Sequence, residues 1–206
     1  MATYEIALGK TMIINELKTR RNSYGIGVRD ENQNIFTVKL KNNMSYSIIE
    51  NFLGKQEHQS ILDEMSSIYF PWFYNSSMTD YETDYGFFSH TFYKEYKPNS
   101  DSFRKLIIPI VQKMNVKGLM EVRANFMTNK NKRYESEWHT DRKFDCKTAI
   151  YYVNTNNGYT LLDKDEQINI PCKENSMLIF DSDILHKAVS QTDNERRIVI
   201  NFNYFE

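Results

Sequence analysis

The hydrophobic pattern of the chain changes once. Up to residue 114, helically spaced apolar stripes alternate with short apolar runs; beyond it no helical period survives. Residues 55–68, KQEHQSILDEMSSI, set Ile61, Leu62, Met65 and Ile68 on one face of an amphipathic helix. Residues 100–114 predict a second helix through Phe103, Leu106, Ile107, Ile110, Val111 and Met114. Pro109 lies inside it and should kink it or shift its start. IFTVKL (35–40) and MSYSIIENFL (44–53) read as strands. So do LMEVRANFM (119–127), KTAIYYVN (147–154), GYTLL (158–162), QINIP (167–171), SMLIFD (176–181) and RRIVINFNYF (196–205). Helices first, then many short strands separated by turns, predict a mainly β chain built as an antiparallel sandwich or barrel.

Between the helices, residues 68–96 are crowded with Tyr, Phe and Trp. Two readings stand. The segment is core packing with a strand over 87–93, or it forms the mouth of the β structure and meets substrate through large amphipathic rings.

Composition narrows the function. A length of 206 residues suits one domain. A net charge of −1 argues against a dedicated non-specific nucleic-acid binder, which is usually clearly basic. KNKR at 130–133 is the local exception and reads as a solvated loop. No apolar run reaches the roughly 20 residues that span a bilayer, and the first residues do not look like a secretory signal. The expectation is a soluble, cytoplasmic protein with no membrane partner. Cys146 and Cys172 lack CxxC spacing and read as free thiols.

The candidate chemistry lies in the β half. The chain has four histidines, and His139 stands two residues before Asp141 in SEWHTDRKFD. His186 follows several strands later, and Arg196 and Arg197 open the last strand. Two imidazoles and one carboxylate suit Fe(II) and leave open positions on the metal. An HxD pair at a strand end can turn both side chains toward one point, while the third ligand comes from a distant strand. Alternation puts Arg197 on the face of Val199, Asn201 and Asn203, and Arg196 on that of Ile198, Ile200 and Phe202. A polar barrel interior selects Arg197; an apolar one selects Arg196. His58, on the first helix, and His90, in the aromatic segment, read as structural.

In order, WHTD, AIYYVN, NGYTLLD, IPCKENSMLIFDSDILH and RRIVINFNYF resemble the iron(II)/2-oxoglutarate-dependent dioxygenases, especially the prolyl-4-hydroxylase-like branch. The resemblance implies a double-stranded β-helix (jelly roll, cupin-like) with N-terminal helices. It implies one oxygenase domain over 1–206, with a helical and aromatic support in 1–118 and the catalytic core in 119–206. It makes His139, Asp141 and His186 the metal ligands and gives an arginine of the last strand, Arg197, to the distal carboxylate of 2-oxoglutarate. Tyr152, Asn125 and Thr160 fall where the family places co-substrate contacts. Relatives carry a double glycine where this chain has Asn157-Gly158-Tyr159. The implied activity is hydroxylation of a substrate C–H bond with release of succinate and CO2. Fe(II) and 2-oxoglutarate are the implied cofactors, with ascorbate as a candidate reductant. A peptide or small-molecule substrate is favoured over nucleic acid. The rival readings are a non-catalytic jelly-roll module that binds a metal or ligand, and a zinc hydrolase on the same three residues.

Overall fold

The computed structural model describes residues 3–6, 10–13, 25–27, 35–39, 45–76 and 86–206. Among them, β1 (Thr3–Ile6) and β2 (Lys10–Ile13) pair only with each other. The main sheet is antiparallel and runs in the order β3 (Gly25–Gly27), β4 (Ile35–Lys39), β5 (Ser45–Ile49), β13 (Ser176–Asp181), β10 (Lys147–Tyr152), β15 (Arg196–Phe205), β9 (Gly118–Thr128), β7 (Phe87–Lys94) and β6 (Phe73–Asn75), with β8 (Lys97–Pro98) beside β7. A smaller antiparallel sheet has the order β12 (Ile168–Pro171), β11 (Tyr159–Leu162) and β14 (His186–Val189). The chain is thus mainly β with few helices, and the runs expected after residue 114 are strands.

Two cores form on the two faces of the main sheet, and strand alternation assigns residues to them. Ile198, Ile200 and Phe202 of β15 join Val122 and Ala124 of β9 and Tyr151 of β10 in one cluster. The helices cover it: Ile61 and Met65 from α1 (Lys55–Ser66), then Leu106, Ile107 and Ile110. Val199 of β15 instead joins Ile150, Tyr152, Leu178 and Phe180 against Leu162 and Ile170 of the small sheet. Burying each such side chain contributes about 1.5–3 kcal/mol. β10 lies between β13 and β15 and is covered on both faces, so its apolar run is nearly continuous.

Both helices depart from the simple pattern. α1 stops at Ser66, so Ile68 falls past the helix and is 90% exposed rather than part of its stripe. Its start is fixed by Glu57, whose Oε2 accepts from the Gly54 N–H at 2.9 Å. The second helix opens as a π-helical turn, Phe103–Ile107, in which the Ile108 N–H reaches back to the Phe103 carbonyl. A short α2 (Ile108–Val111) follows, with Pro109 in its first turn. Pro109 has no N–H for the carbonyl four residues back, and the widened turn precedes the point where proline is tolerated.

The link between the two halves is polar and buried. Asn175 donates from Nδ2 to the Leu53 carbonyl (2.9 Å), and its Oδ1 accepts from the Leu53 N–H (2.9 Å) and the Tyr151 hydroxyl (3.0 Å). His58 Nδ1 meets the same hydroxyl at 2.8 Å. His90 spans the Pro71 carbonyl (2.8 Å) and Ser100 Oγ (2.7 Å). Both histidines serve packing, and both cysteines are free and buried.

Two outcomes follow from this packing. Asn175 sits at φ 55°, where a Cβ-bearing residue without a local hydrogen bond is strained. Asn175→Ala should lower unfolding free energy by about 2–3 kcal/mol, and Asn175→Gly, which tolerates that φ, by less; urea melts give both values. Burial lowers the pKa of His58 and of His90. The unfolded chain therefore binds these protons first, so stability is full above about pH 6.5 and declines as pH falls below it. Urea midpoints measured between neutral and mildly acidic pH should show this decline, and His90→Gln should flatten it. It will not abolish it, because burial lowers His186 as well.

Candidate metal centre

His139 and His186 face each other across two backbone hydrogen bonds. The His139 N–H donates to the His186 carbonyl (3.0 Å), and the His186 N–H donates back (2.9 Å). This is one antiparallel bridge outside the regular strands, and a second one links Glu135 to Val189. Directly opposed residues point to the same side of a ladder, and the ring centroids are 4.4 Å apart. The irregular stretch before His139 therefore acts as a further edge strand on β14. Asp141, two residues on, returns to the same side, and the Ser182 carbonyl accepts its N–H (3.1 Å).

The donor atoms are pre-sorted. His139 Nδ1 is held by the Glu137 carbonyl (3.0 Å) and His186 Nδ1 by the Ile184 carbonyl (3.0 Å). These bonds place the ring proton on Nδ1 and leave each Nε2 lone pair for a metal. Asp141 Oδ2 accepts from Thr148 Oγ1 (2.9 Å) and Asn203 Nδ2 (2.8 Å). Its other oxygen, Oδ1, lies 3.6 Å from His186 Nε2 and 4.0 Å from His139 Nε2. One ligand atom from each of the three residues lies within 4.8 Å of the others. Two neutral nitrogens and one carboxylate oxygen, with no thiolate, form a donor set that fits Fe(II). Burial opposes charge on Asp141, but His186, Asn203 and Thr148 together hold its carboxyl below the usual value. Burial pushes His186 down against the pull of Asp141, so the imidazole is neutral and ready to ligate.

These groups line a cavity of about 110 Å³. Arg197 lines it too and is 2% exposed. Its Nε meets Cys172 Sγ (3.1 Å), and its other nitrogens meet Met127 Sδ, the Tyr159 carbonyl and Thr160 Oγ1 at 3.4–3.7 Å. None of these partners is an acid. A buried guanidinium with only sulfur and neutral oxygen around it is costly unless an anion joins it. Arg196, by contrast, lies on the helix side and donates to the Ser66 carbonyl (3.2 Å). A wider concavity of about 1070 Å³ lies between the end of α1 and β7. Its one histidine, His90, has both ring nitrogens engaged, so the candidate metal cluster belongs to the smaller cavity.

Solved structures supply the comparison. One similar structure is a prolyl hydroxylase from Trichoplax adhaerens in complex with a hypoxia inducible factor peptide fragment. It has 16% identity and a TM-score of 0.58, over 78% of this chain and 83% of that one. Another is a viral collagen prolyl hydroxylase from Paramecium Bursaria Chlorella virus-1, solved as a 2OG complex. It has 14% identity and a TM-score of 0.51, over 78% and 96% of the two chains. The chain has the fold of these 2-oxoglutarate/Fe(II) oxygenases. The alpha ketoglutarate dependent epimerase SnoN shares it at 13% identity and a TM-score of 0.59, over 78% of each chain. No family model and no curated protein matches the sequence.

Within this oxygenase fold, Asn125 and Thr160 line the cavity, as does Phe87 from the aromatic segment. Tyr152 stands one step back: it is fully buried, and its hydroxyl donates to Thr160 Oγ1 (2.9 Å). Residues 77–85, with Asp80, Glu82 and Asp84, lie outside the described residues. Gly158 is required locally, because a Cβ there would lie 2.8 Å from the Val189 carbonyl and 3.0 Å from Arg197 Cδ. Asn157 has taken a different job. Its backbone N–H donates to Asp193 (2.9 Å) and its amide pairs with Thr192. Sequence reasoning missed Asn203 and Thr148, the residues that orient Asp141. The signal for Asn203 was available, since it shares the face of Arg197.

Removing the orienting amide should matter as much as position suggests. Asn203→Ala is expected to weaken Mn(II) or anaerobic Fe(II) binding about 10- to 100-fold. The His139→Ala/His186→Ala double variant should bind neither metal in the same titration while keeping its circular dichroism spectrum.

Proposed function

We propose that the protein is a 2-oxoglutarate- and Fe(II)-dependent dioxygenase that hydroxylates a substrate C–H bond and releases succinate and CO2. The observation that carries this reading is one cavity containing a two-histidine, one-carboxylate cluster and a buried guanidinium with no acid beside it among the described residues. A metal-binding module or a zinc hydrolase needs the cluster but not the guanidinium. No helix among the described residues is long and apolar enough to cross a membrane.

On this reading His139, Asp141 and His186 hold the metal, and the domain is a double-stranded β-helix spanning the chain. Fe(II) with 2-oxoglutarate supplies the oxidising chemistry when both are bound. Arg197 binds the distal carboxylate of 2-oxoglutarate, and a guanidinium suits that role because its fork meets both oxygens. Thr160 contacts the same end of the co-substrate, and Tyr152 keeps the Thr160 hydroxyl oriented. Asn125 offers a further polar contact from β9. Ile150 and Val199 form the apolar wall and limit water beside the metal. Nothing in the cavity argues for an ascorbate site, and ascorbate is not part of the proposal. The Trichoplax enzyme is in complex with a peptide and SnoN acts in nogalamycin biosynthesis, so both peptides and small molecules fit this fold. A substrate of either kind is favoured here over nucleic acid, given the near-neutral chain.

The test is turnover without a prime substrate. Succinate should form from 2-oxoglutarate with Fe(II) and O2, and not with Zn(II); equal activity with Zn(II), or none with Fe(II), would reject the reading. Arg197→Ala should weaken 2-oxoglutarate binding about ten- to hundredfold, the loss of about 1.5–3 kcal/mol for a charge-assisted pair. Mn(II) affinity should stay nearly unchanged, and Arg196→Ala should alter neither.

A further inference from the structure

The cavity has a second guanidinium, which the co-substrate reading does not use. Arg123 lies on β9, two residues before Asn125 and on the same side, opposite Asn201 of β15. It lines the cavity but, unlike Arg197, is exposed, so it marks the mouth rather than the depth. Among the described residues no carboxylate lies within ion-pair distance of it. The acids nearby are already engaged. Glu121, two residues back on the same face, pairs with Arg142 at 2.6 Å. Glu135, next to the cavity-lining Ser136, pairs with Lys187. Asp141 belongs to the metal cluster. Two amides near Arg123 point the same way: Asn125 and Asn201 line the cavity, and the Oδ1 atom of each is buried with no hydrogen-bond partner among the described residues. Asn125 is only 7% exposed.

The charges of the site can then be matched. Among the described residues, apart from the metal ligands, the charged groups lining the cavity are Arg123 and Arg197. A divalent ion beside Asp141 keeps one net positive charge, and the two arginines raise the total to three. The two carboxylates of 2-oxoglutarate offset two of these. Among the described groups one positive charge remains, that of the exposed Arg123.

We propose that the prime substrate is an acid, and that Arg123 binds its carboxylate while the orphan carbonyls of Asn125 and Asn201 accept its N–H or O–H groups. This rests on the oxygenase reading and adds a substrate class to it: a small carboxylic acid, or a peptide presenting a carboxylate near the oxidised carbon. The guanidinium sets which molecules enter, and it holds the carboxylate end so that the remainder points toward the metal.

The experiment uses the full chain with Mn(II) and saturating 2-oxoglutarate, and acetate and acetamide as matched probes. Methyl-proton relaxation by Mn(II) reports whether each probe occupies a site near the metal. Acetate should show saturable enhancement and acetamide none. Arg123→Gln should weaken the acetate site at least tenfold, and Arg123→Lys should retain part of it. Acetate no better than acetamide, or an acetate site unchanged in Arg123→Gln, would overturn the proposal. The relaxation of 2-oxoglutarate protons is read in the same samples. If wild-type protein fails to bind 2-oxoglutarate, the oxygenase reading falls and the proposal with it. If 2-oxoglutarate binds and acetate is indifferent, only the proposal falls.

Discussion

The reciprocal pair of backbone hydrogen bonds between His139 and His186 is the constraint on which the candidate site depends. Two peptide groups 47 positions apart in sequence are locked face to face, and their side chains have no choice but to share one side. Everything else orients around that pair. The carbonyls of Glu137 and Ile184, each two residues upstream of its histidine, fix the ring tautomers. The turn carrying Ser182 catches Asp141. Thr148 and Asn203, from adjacent strands of the main sheet, hold the outer carboxylate oxygen. The site is therefore assembled by both sheets, and neither alone contains it.

The main sheet is what makes this assembly rigid. Its helix-facing side is closed by α1 and the π/α segment, which bury the even-numbered residues of β15. The odd-numbered residues are thereby committed to the space between the sheets. One strand delivers a guanidinium, an apolar wall and an orienting amide at odd positions of one face: Arg197, Val199 and Asn203. A one-residue slip of β15 would expel all of them to the helix side. The long pairing of β15 with β9, ten residues with one irregularity near Asn203, works against such a slip.

Much of this was legible in the residues. Strands after residue 114 announced themselves by short β-branched and aromatic runs, and strict alternation in RRIVINFNYF separated Arg197 from Arg196. The HxD spacing pointed to one face because residues two apart share a side. Other features were not legible, for physical reasons. The stretch before His139 has no apolar alternation, since it is an edge held by isolated bridges rather than a buried strand. β14 is only four residues long and carries polar groups at its start. The π-helical turn depends on where Pro109 falls relative to hydrogen bonds that periodicity does not see. No sequence signal singles out Arg123; the paired state of its neighbours sets it apart.

The packing of Arg197 has a consequence beyond recognition. Its guanidinium is enclosed by two sulfur atoms and neutral oxygens, so the folded chain without an anion carries a destabilising charge that the unfolded chain leaves in water. A dicarboxylate that pairs with it therefore binds the folded state alone and shifts the folding equilibrium by mass action. At a hundredfold excess over its dissociation constant, that shift is about 2.7 kcal/mol. On the proposed function, resistance to proteolysis would follow the concentration of a metabolite, and the lifetime of the polypeptide would be coupled to the supply of its co-substrate.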